Sequence, residues 1–118
     1  MALAVSDLGR CGEDLALEFF LGRGFLLVDR NWRCRFGEID LLVEQAKTLH
    51  FVEVKMRLSK TQHPFEAISG KKRLHLERAI ELWLQAHPSH EANPYQVDAF
   101  FLWKGSSGIF ETEWIQGI

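Results

Sequence analysis

Residues Leu49 to Met56 alternate in a way that suits a strand covered on both sides. Leu49, Phe51, Glu53 and Lys55 project to one face, and Val52, Val54 and Met56 to the other. Both faces are apolar around an embedded pair of opposite charges. Removing an ionised group from water costs on the order of several kcal/mol, and a buried ion pair often fails to offset that cost. Core stability is therefore a poor reason for Glu53 and Lys55. A functional site is the better one.

Around this strand the chain divides into short elements. Ser6 or Asp7 caps a helix that runs to about Gly22, with Arg23 and Gly24 as its stop. Phe25 to Trp32 predicts a first strand, and Gly37 to Glu44 and Leu49 to Met56 predict two more, joined through residues 45–48 as a hairpin without an Asn-Gly signal. Arg57 to Pro64 reads as a polar loop. A second helix, prefaced by a short turn at Phe65 to Ile68, extends from Ser69 to about Ala86 on a stripe of Leu76, Ile80, Trp83 and Leu84. His87 to Pro94 breaks it. Tyr95 to Lys104 and Ile109 to Ile115 are further strands around a turn at Gly105 to Gly108, the last with alternating glutamates that suit a sheet edge. The expected architecture is α/β: a mixed sheet of about five strands flanked by two main helices, in the order α-β-β-β-α-β-β.

The 118 residues fit one domain, and 47% hydrophobic content excludes disordered and fibrous classes. Met1 to Val5 is apolar but lacks a basic flank and is too short for a signal peptide, and no apolar run reaches membrane-spanning length. A cytoplasmic protein is expected. Cys11 and Cys34 match no metal or disulfide spacing and are expected as reduced, partly buried thiols. The five histidines are scattered and expected to be exposed or packed singly. A net charge of -2 does not announce a nucleic-acid binder, but its distribution is uneven. Lys55, Arg57, Lys60, Lys71, Lys72, Arg73 and Arg78 follow one another against only Glu66 and Glu77, and Arg30, Arg33 and Arg35 form a second basic group.

Hairpin arithmetic gives Glu53 a partner. A turn centred between Ala46 and Lys47 pairs position i with 93 minus i, which sets Asp40 opposite Glu53 with Cβ atoms about 5 Å apart. Two carboxylates so close destabilise a sheet unless a cation or a shared proton lies between them. Mg²⁺ suits such a pair, because it is held by one or two carboxylates together with phosphate oxygens and water. Glu13 shares a helix stripe with Gly9, Ala16, Leu17 and Phe20, and Gly12 beside it would allow close approach to the sheet. It is either a third carboxylate of the site or an exposed helix-start glutamate. Glu38 has the parity of Asp40 and is either a surface residue or a support to the site. Lys55 completes a set suited to phosphodiester hydrolysis, with an ammonium beside the developing charge. No Ser/His/Asp arrangement, phosphate loop or His-Glu-x-x-His motif competes.

The segments Gly12-Glu13, Arg30-Asn31-Trp32-Arg33, Gly37-Glu38-Ile39-Asp40-Leu41 and Phe51-Val52-Glu53-Val54-Lys55-x-Arg57 together resemble the YraN family, also called UPF0102. That family is similar to a branch of the PD-(D/E)xK nucleases, the group of Holliday junction resolvases and restriction endonucleases. The resemblance implies a single restriction endonuclease-like domain over residues 1–118. It implies that Asp40, Glu53 and Lys55 fill the superfamily motif, with Asp40, Glu53 and the Val54 carbonyl as ligands to one or two Mg²⁺ or Mn²⁺ ions. Glu13 would assist through a water, and Lys72 would match a basic residue near the start of the second helix. Ile39 stands where the superfamily name has Pro. Gln96 stands where the family commonly has Arg, which weakens a phosphate contact there.

The expected function is a metal-dependent endonuclease acting on DNA, on branched or otherwise structured substrates, with phosphate contacts from Arg33, Arg57, Lys60, Lys71 and Lys72. Related resolvases work as dimers, so a homodimer belongs to the same expectation. Two alternatives use the same residues: a catalytically silent nucleic-acid-binding protein, or an interaction domain in which Glu53 and Lys55 are simply an ion pair.

Overall fold

Helix α1 (Val5–Gly22) ends where the chain reverses into a left-handed glycine. Gly24 has φ 85, its N–H donates to the Leu21 carbonyl at 3.1 Å, and the Phe25 N–H donates to the Phe20 carbonyl at 3.1 Å. These two bonds, with Phe25 packed edge-on against Phe20 at 5.1 Å, form a Schellman stop. The computed structural model describes residues 5–57, 70–105 and 108–118, with side chains from residue 11 onward and without that of Arg57. The expected cap at Ser6 or Asp7, the turn at Phe65 to Ile68, the Ser69 helix start, and Lys60 and His63 lie outside the described residues or side chains.

Strands β1 (Leu26–Cys34), β2 (Gly37–Gln45) and β3 (Thr48–Arg57) form an antiparallel meander. Helix α2 (Lys71–Ala86) then connects to β4 (Tyr95–Lys104), which lies parallel to β3, and β5 (Phe110–Ile115) returns antiparallel as an edge strand. The five-stranded mixed sheet has the order β1-β2-β3-β4-β5, and the chain order is the expected α-β-β-β-α-β-β.

The two helices cover opposite faces, as the alternation in β3 requires. Ala16 and Phe20 of α1 pack on Leu41, Val43, Val52, Phe100 and Leu102, while Leu76, Ala79, Ile80 and Trp83 of α2 pack on Leu42, Leu49, Phe51 and Val97. Leu84, expected in the α2 stripe, is only partly buried, and Ala79 takes its place. Gly12 is buried on the sheet side of α1, but a methyl group there would meet Met56 at an ordinary 3.5 Å. The helix approaches the sheet closely without demanding a glycine. Among the described residues no helix is long and apolar enough to cross a membrane.

Asp98 is fully buried on β4, and its carboxylate gathers four partners. Gln96 Nε2 donates at 2.8 Å, Trp114 Nε1 at 3.0 Å and the Gly117 N–H at 3.0 Å, and His50 Nδ1 lies 2.8 Å away. A buried carboxylate so surrounded ties β3, β4, β5 and the residues after β5 together. His50 is therefore not a singly packed histidine, since it also stacks edge-on against Phe25 at 5.1 Å. Gln96, where the sequence weakened a phosphate contact, spends its amide on Asp98.

Candidate metal centre

The register expected for the central hairpin is observed as far as Leu41 and Val52, but the Asp40–Glu53 pair that it was to bring face to face is not part of the ladder. Leu41 pairs with Val52, Leu42 with Phe51 and Val43 with His50, each summing to 93. The turn is tighter than the four-residue connection expected: Gln45 pairs with Thr48, and Ala46 and Lys47 turn the chain with φ 52 and 64. Both values are left-handed, the geometry of a type I′ turn.

Pairing between β2 and β3 stops at Leu41 and Val52. One step further on, the Val54 N–H donates to Asp40 Oδ2 at 3.0 Å, so a side chain takes the place of the next strand. The alternation of β2 slips at the same point, because Ile39 and Leu42, three residues apart, pack in the same α2-side cluster. The strands part there. Asp40 thus sits at a fork in the sheet, its carboxylate oriented by a backbone donor.

Three carboxylates converge at the fork. Oxygen atoms of Glu13 on α1 and of Glu38 and Asp40 on β2 lie within 4.8 Å of one another, and all three residues are partly buried. Burial pushes the Asp40 carboxyl up to about 7, with Glu53 the next contributor and Glu13 and Glu38 adding to it, against the Val54 hydrogen bond. Burial and then the Glu38 charge raise Glu13 above the ordinary carboxylate value. The Asn31 side chain and Arg30 hold it back. Arg30 Nη2 lies 3.9 Å from Glu13 and 2.8 Å from Asp14. Asn31 has φ 54 within β1, a left-handed conformation that asparagine accepts more readily than most residues, and its side chain is the one bonded to Glu13. Converging like charges in a half-buried site, all oxygen donors, fit a hard divalent cation.

The remaining expected site residues divide. Glu53 is outside the three-carboxylate group, although its charge is felt at Asp40. Its Oε1 accepts the Lys55 ammonium at 3.1 Å, so the two form the ion pair that the functional reading set aside. The cause is local, since residues two apart on a strand share a face and a lysine reaches back to its neighbour. Val54 contributes its N–H to Asp40. Arg33 is largely exposed and pairs at 3.6 Å with Glu38, directly opposite it in the β1–β2 ladder. Lys71 and Lys72 are exposed on the first turn of α2, and Lys72 lines a cavity with Glu38 and Glu53. Lys60 lies outside the described residues, as does the Arg57 side chain.

Sequence reasoning left Glu38 undecided and did not single out Asn31 or Arg30 as partners of Glu13. The parity of Glu38 with Asp40 was the available signal for the first. For the others none existed, because contact between α1 and β1 is a tertiary event.

The model of the uncharacterised protein family UPF0102 matches residues 12–102, a stretch that contains Glu13, Glu38, Asp40, Glu53 and Lys55. A UPF0102 protein of Clavibacter michiganensis subsp. michiganensis is 47% identical over 93 residues, covering 78% of each chain. One from Frankia casuarinae is 39% identical over 116 residues, covering 97% of each, and one from Caldicellulosiruptor bescii is 39% identical over 95 residues, covering 80% of each. With its match spanning most of the chain and these relatives covered nearly end to end or over more than three quarters of their length, the protein belongs to the UPF0102 family.

Proposed function

We propose that this protein is a metal-dependent endonuclease that hydrolyses DNA phosphodiester bonds in the cytoplasm, acting on branched or otherwise structured DNA through a core like that of the PD-(D/E)xK nucleases. The observation that carries the reading is the convergence of Glu13, Glu38 and Asp40 within 4.8 Å at the fork between β2 and β3, beside Glu53 and Lys55. Nothing in the packing of the core requires three carboxylates to meet there, and burial first, then the neighbouring carboxylates, raises the pKa values of Glu13 and Asp40, a cost that a cation would relieve.

Glu13, Glu38 and Asp40 would hold Mg²⁺ or Mn²⁺, with Glu53 in reach of the same charge. When bound, such an ion supplies a Lewis acid for a phosphoryl oxygen and a means of activating water. The protein's own groups do the rest. The Val54 N–H keeps Asp40 in one orientation, and Asn31 and Arg30 favour the ionised form of Glu13. Lys55, held beside Glu53 at 3.1 Å, would place an ammonium against the charge that builds on the phosphate. Arg33, Lys71 and Lys72 would hold the DNA on either side.

A second reading, a DNA-binding protein without turnover, is favoured by the Glu53–Lys55 contact, which occupies the ammonium that hydrolysis would use. Incubation of the protein with junction, flap, single-stranded and duplex DNA in Mg²⁺ or Mn²⁺ separates the two. The endonuclease reading expects cleavage of at least one structured substrate that Asp40→Asn abolishes. Equal traces of product from wild type and Asp40→Asn on every substrate would overturn the endonuclease reading.

A further inference from the structure

Beside the carboxylate group opens a cavity of about 180 Å³ between the β1–β2 turn and α2. Phe36, Leu76 and Ala79 give it an apolar wall, and Glu38, Glu53, Lys72 and His75 a polar one. A metal centre alone has no need of the apolar wall. Four titratable side chains are equally out of place in a site for a purely apolar ligand, and two carboxylates would repel a free anion. The volume is below the several hundred cubic ångströms of pockets that take drug-sized ligands, and it suits a single ring system. The required guest is flat, apolar on its faces and equipped with both donors and acceptors on its edge. Lys72 donates, Glu38 accepts and His75 can do either.

The geometry points to an unstacked nucleobase in this cavity, that of the nucleotide next to the scissile phosphate, with its ring against Phe36 and its edge toward Lys72 and His75. This deepens the endonuclease reading and rests on it, because the cavity shares Glu38 with the carboxylate group and Glu53 with the ion pair. The Arg35 guanidinium lies 5.0 Å from the centre of the Phe36 ring, so a cation for the neighbouring phosphate stands beside the aromatic wall. A base leaves an intact duplex only at the cost of its pairing and stacking, whereas an unpaired base at a branch, flap or single strand has already lost most of both. The cavity therefore selects DNA with an unpaired nucleotide beside the cut.

The test needs no cleavage. Binding of the full chain to flap DNA is measured in Ca²⁺ while a single abasic residue is moved through the unpaired nucleotides at the branch, with a matched duplex as reference. Wild type is expected to lose about tenfold in affinity when one particular base is removed, the scale of a single stacking contact. Phe36→Ala should bind intact and abasic flaps alike while keeping its duplex affinity. His75→Ala, on the exposed side of α2, should show the same pattern more weakly, and it serves if the turn variant folds poorly. A flat abasic scan in wild type overturns the inference, as does equal loss of flap and duplex affinity in both variants. Base-dependent binding without any metal-dependent cleavage would end the endonuclease reading and leave the cavity's role standing. Cleavage with a flat scan would do the reverse.

Discussion

Asp40 holds its proton far more tightly in the folded chain than in the unfolded one. Its carboxyl is pushed up to about 7 from an ordinary 3.8 by burial and by Glu53, so the native state gains from protonation. In metal-free protein that contribution is fully present below about pH 3.8 and is lost as the pH rises through 7. Asn at this position mimics the protonated acid. Thermal or urea unfolding in EDTA should therefore find Asp40→Asn more stable than wild type at pH 8, by up to about 4 kcal/mol, and nearly equal to it at pH 4. A variant destabilised to the same extent at both values would mean that Asp40 is a structural hydrogen-bond acceptor and nothing more. At this scale the sequence was readable: Asp40, Glu53 and Lys55 stood out by parity and register alone. The ion pair between the last two did not, because the same parity serves a ligand and a partner equally well.

Among the elements, the β2–β3 turn is the one whose local chemistry disagrees with its geometry. Ala46 and Lys47 both adopt left-handed φ values, which cost a non-glycine residue about 1 kcal/mol or more each. The Asn93 side chain braces the turn by donating to the Lys47 carbonyl at 2.8 Å, and the ladder from Gln45–Thr48 to Leu41–Val52 holds it from the other side. The double substitution Ala46→Asn with Lys47→Gly supplies the Asn-Gly pair that a type I′ turn prefers. It should raise stability by about 1 kcal/mol in denaturant unfolding and leave DNA affinity unchanged. A loss of stability would show that the turn is held by its side chains rather than against their preferences. The hairpin was legible without the Asn-Gly signal because two apolar runs of matching parity demand each other. The conformation of its turn was not legible, because the tertiary brace that tolerates it comes from a distant residue.

At the scale of the molecule, a net charge of -2 coexists with a cationic margin around an acidic centre. Arg33 at the end of β1 lies against Glu38 and Lys72 of α2 lines the cavity with Glu38 and Glu53, with Arg35 and Lys71 beside them in the chain. Arg33 is partly neutralised by Glu38. Binding of single-stranded or flap DNA should weaken with added salt at a slope of about -2 to -3 on logarithmic axes, the value for three to four phosphate contacts. Removal of Lys71 alone should lower that slope by just under one. A slope near zero would place the DNA elsewhere, or remove it altogether.

The sequence by itself determined the order of elements, the register of the central hairpin and the side of β3 from which Glu53 and Lys55 project. Each follows from period and parity, which are properties of a few neighbouring residues. Only the tertiary structure decided which carboxylates meet. Glu38 joins Glu13 and Asp40 because β2 is paired with β3 only from Leu41 onward and α1 crosses at that point, while Glu53 turns to Lys55 instead. It also decided that Asp98 and His50 belong to a buried hydrogen-bonded network spanning three strands. Such groupings depend on where separate elements come to rest against one another, a distance that no local pattern encodes.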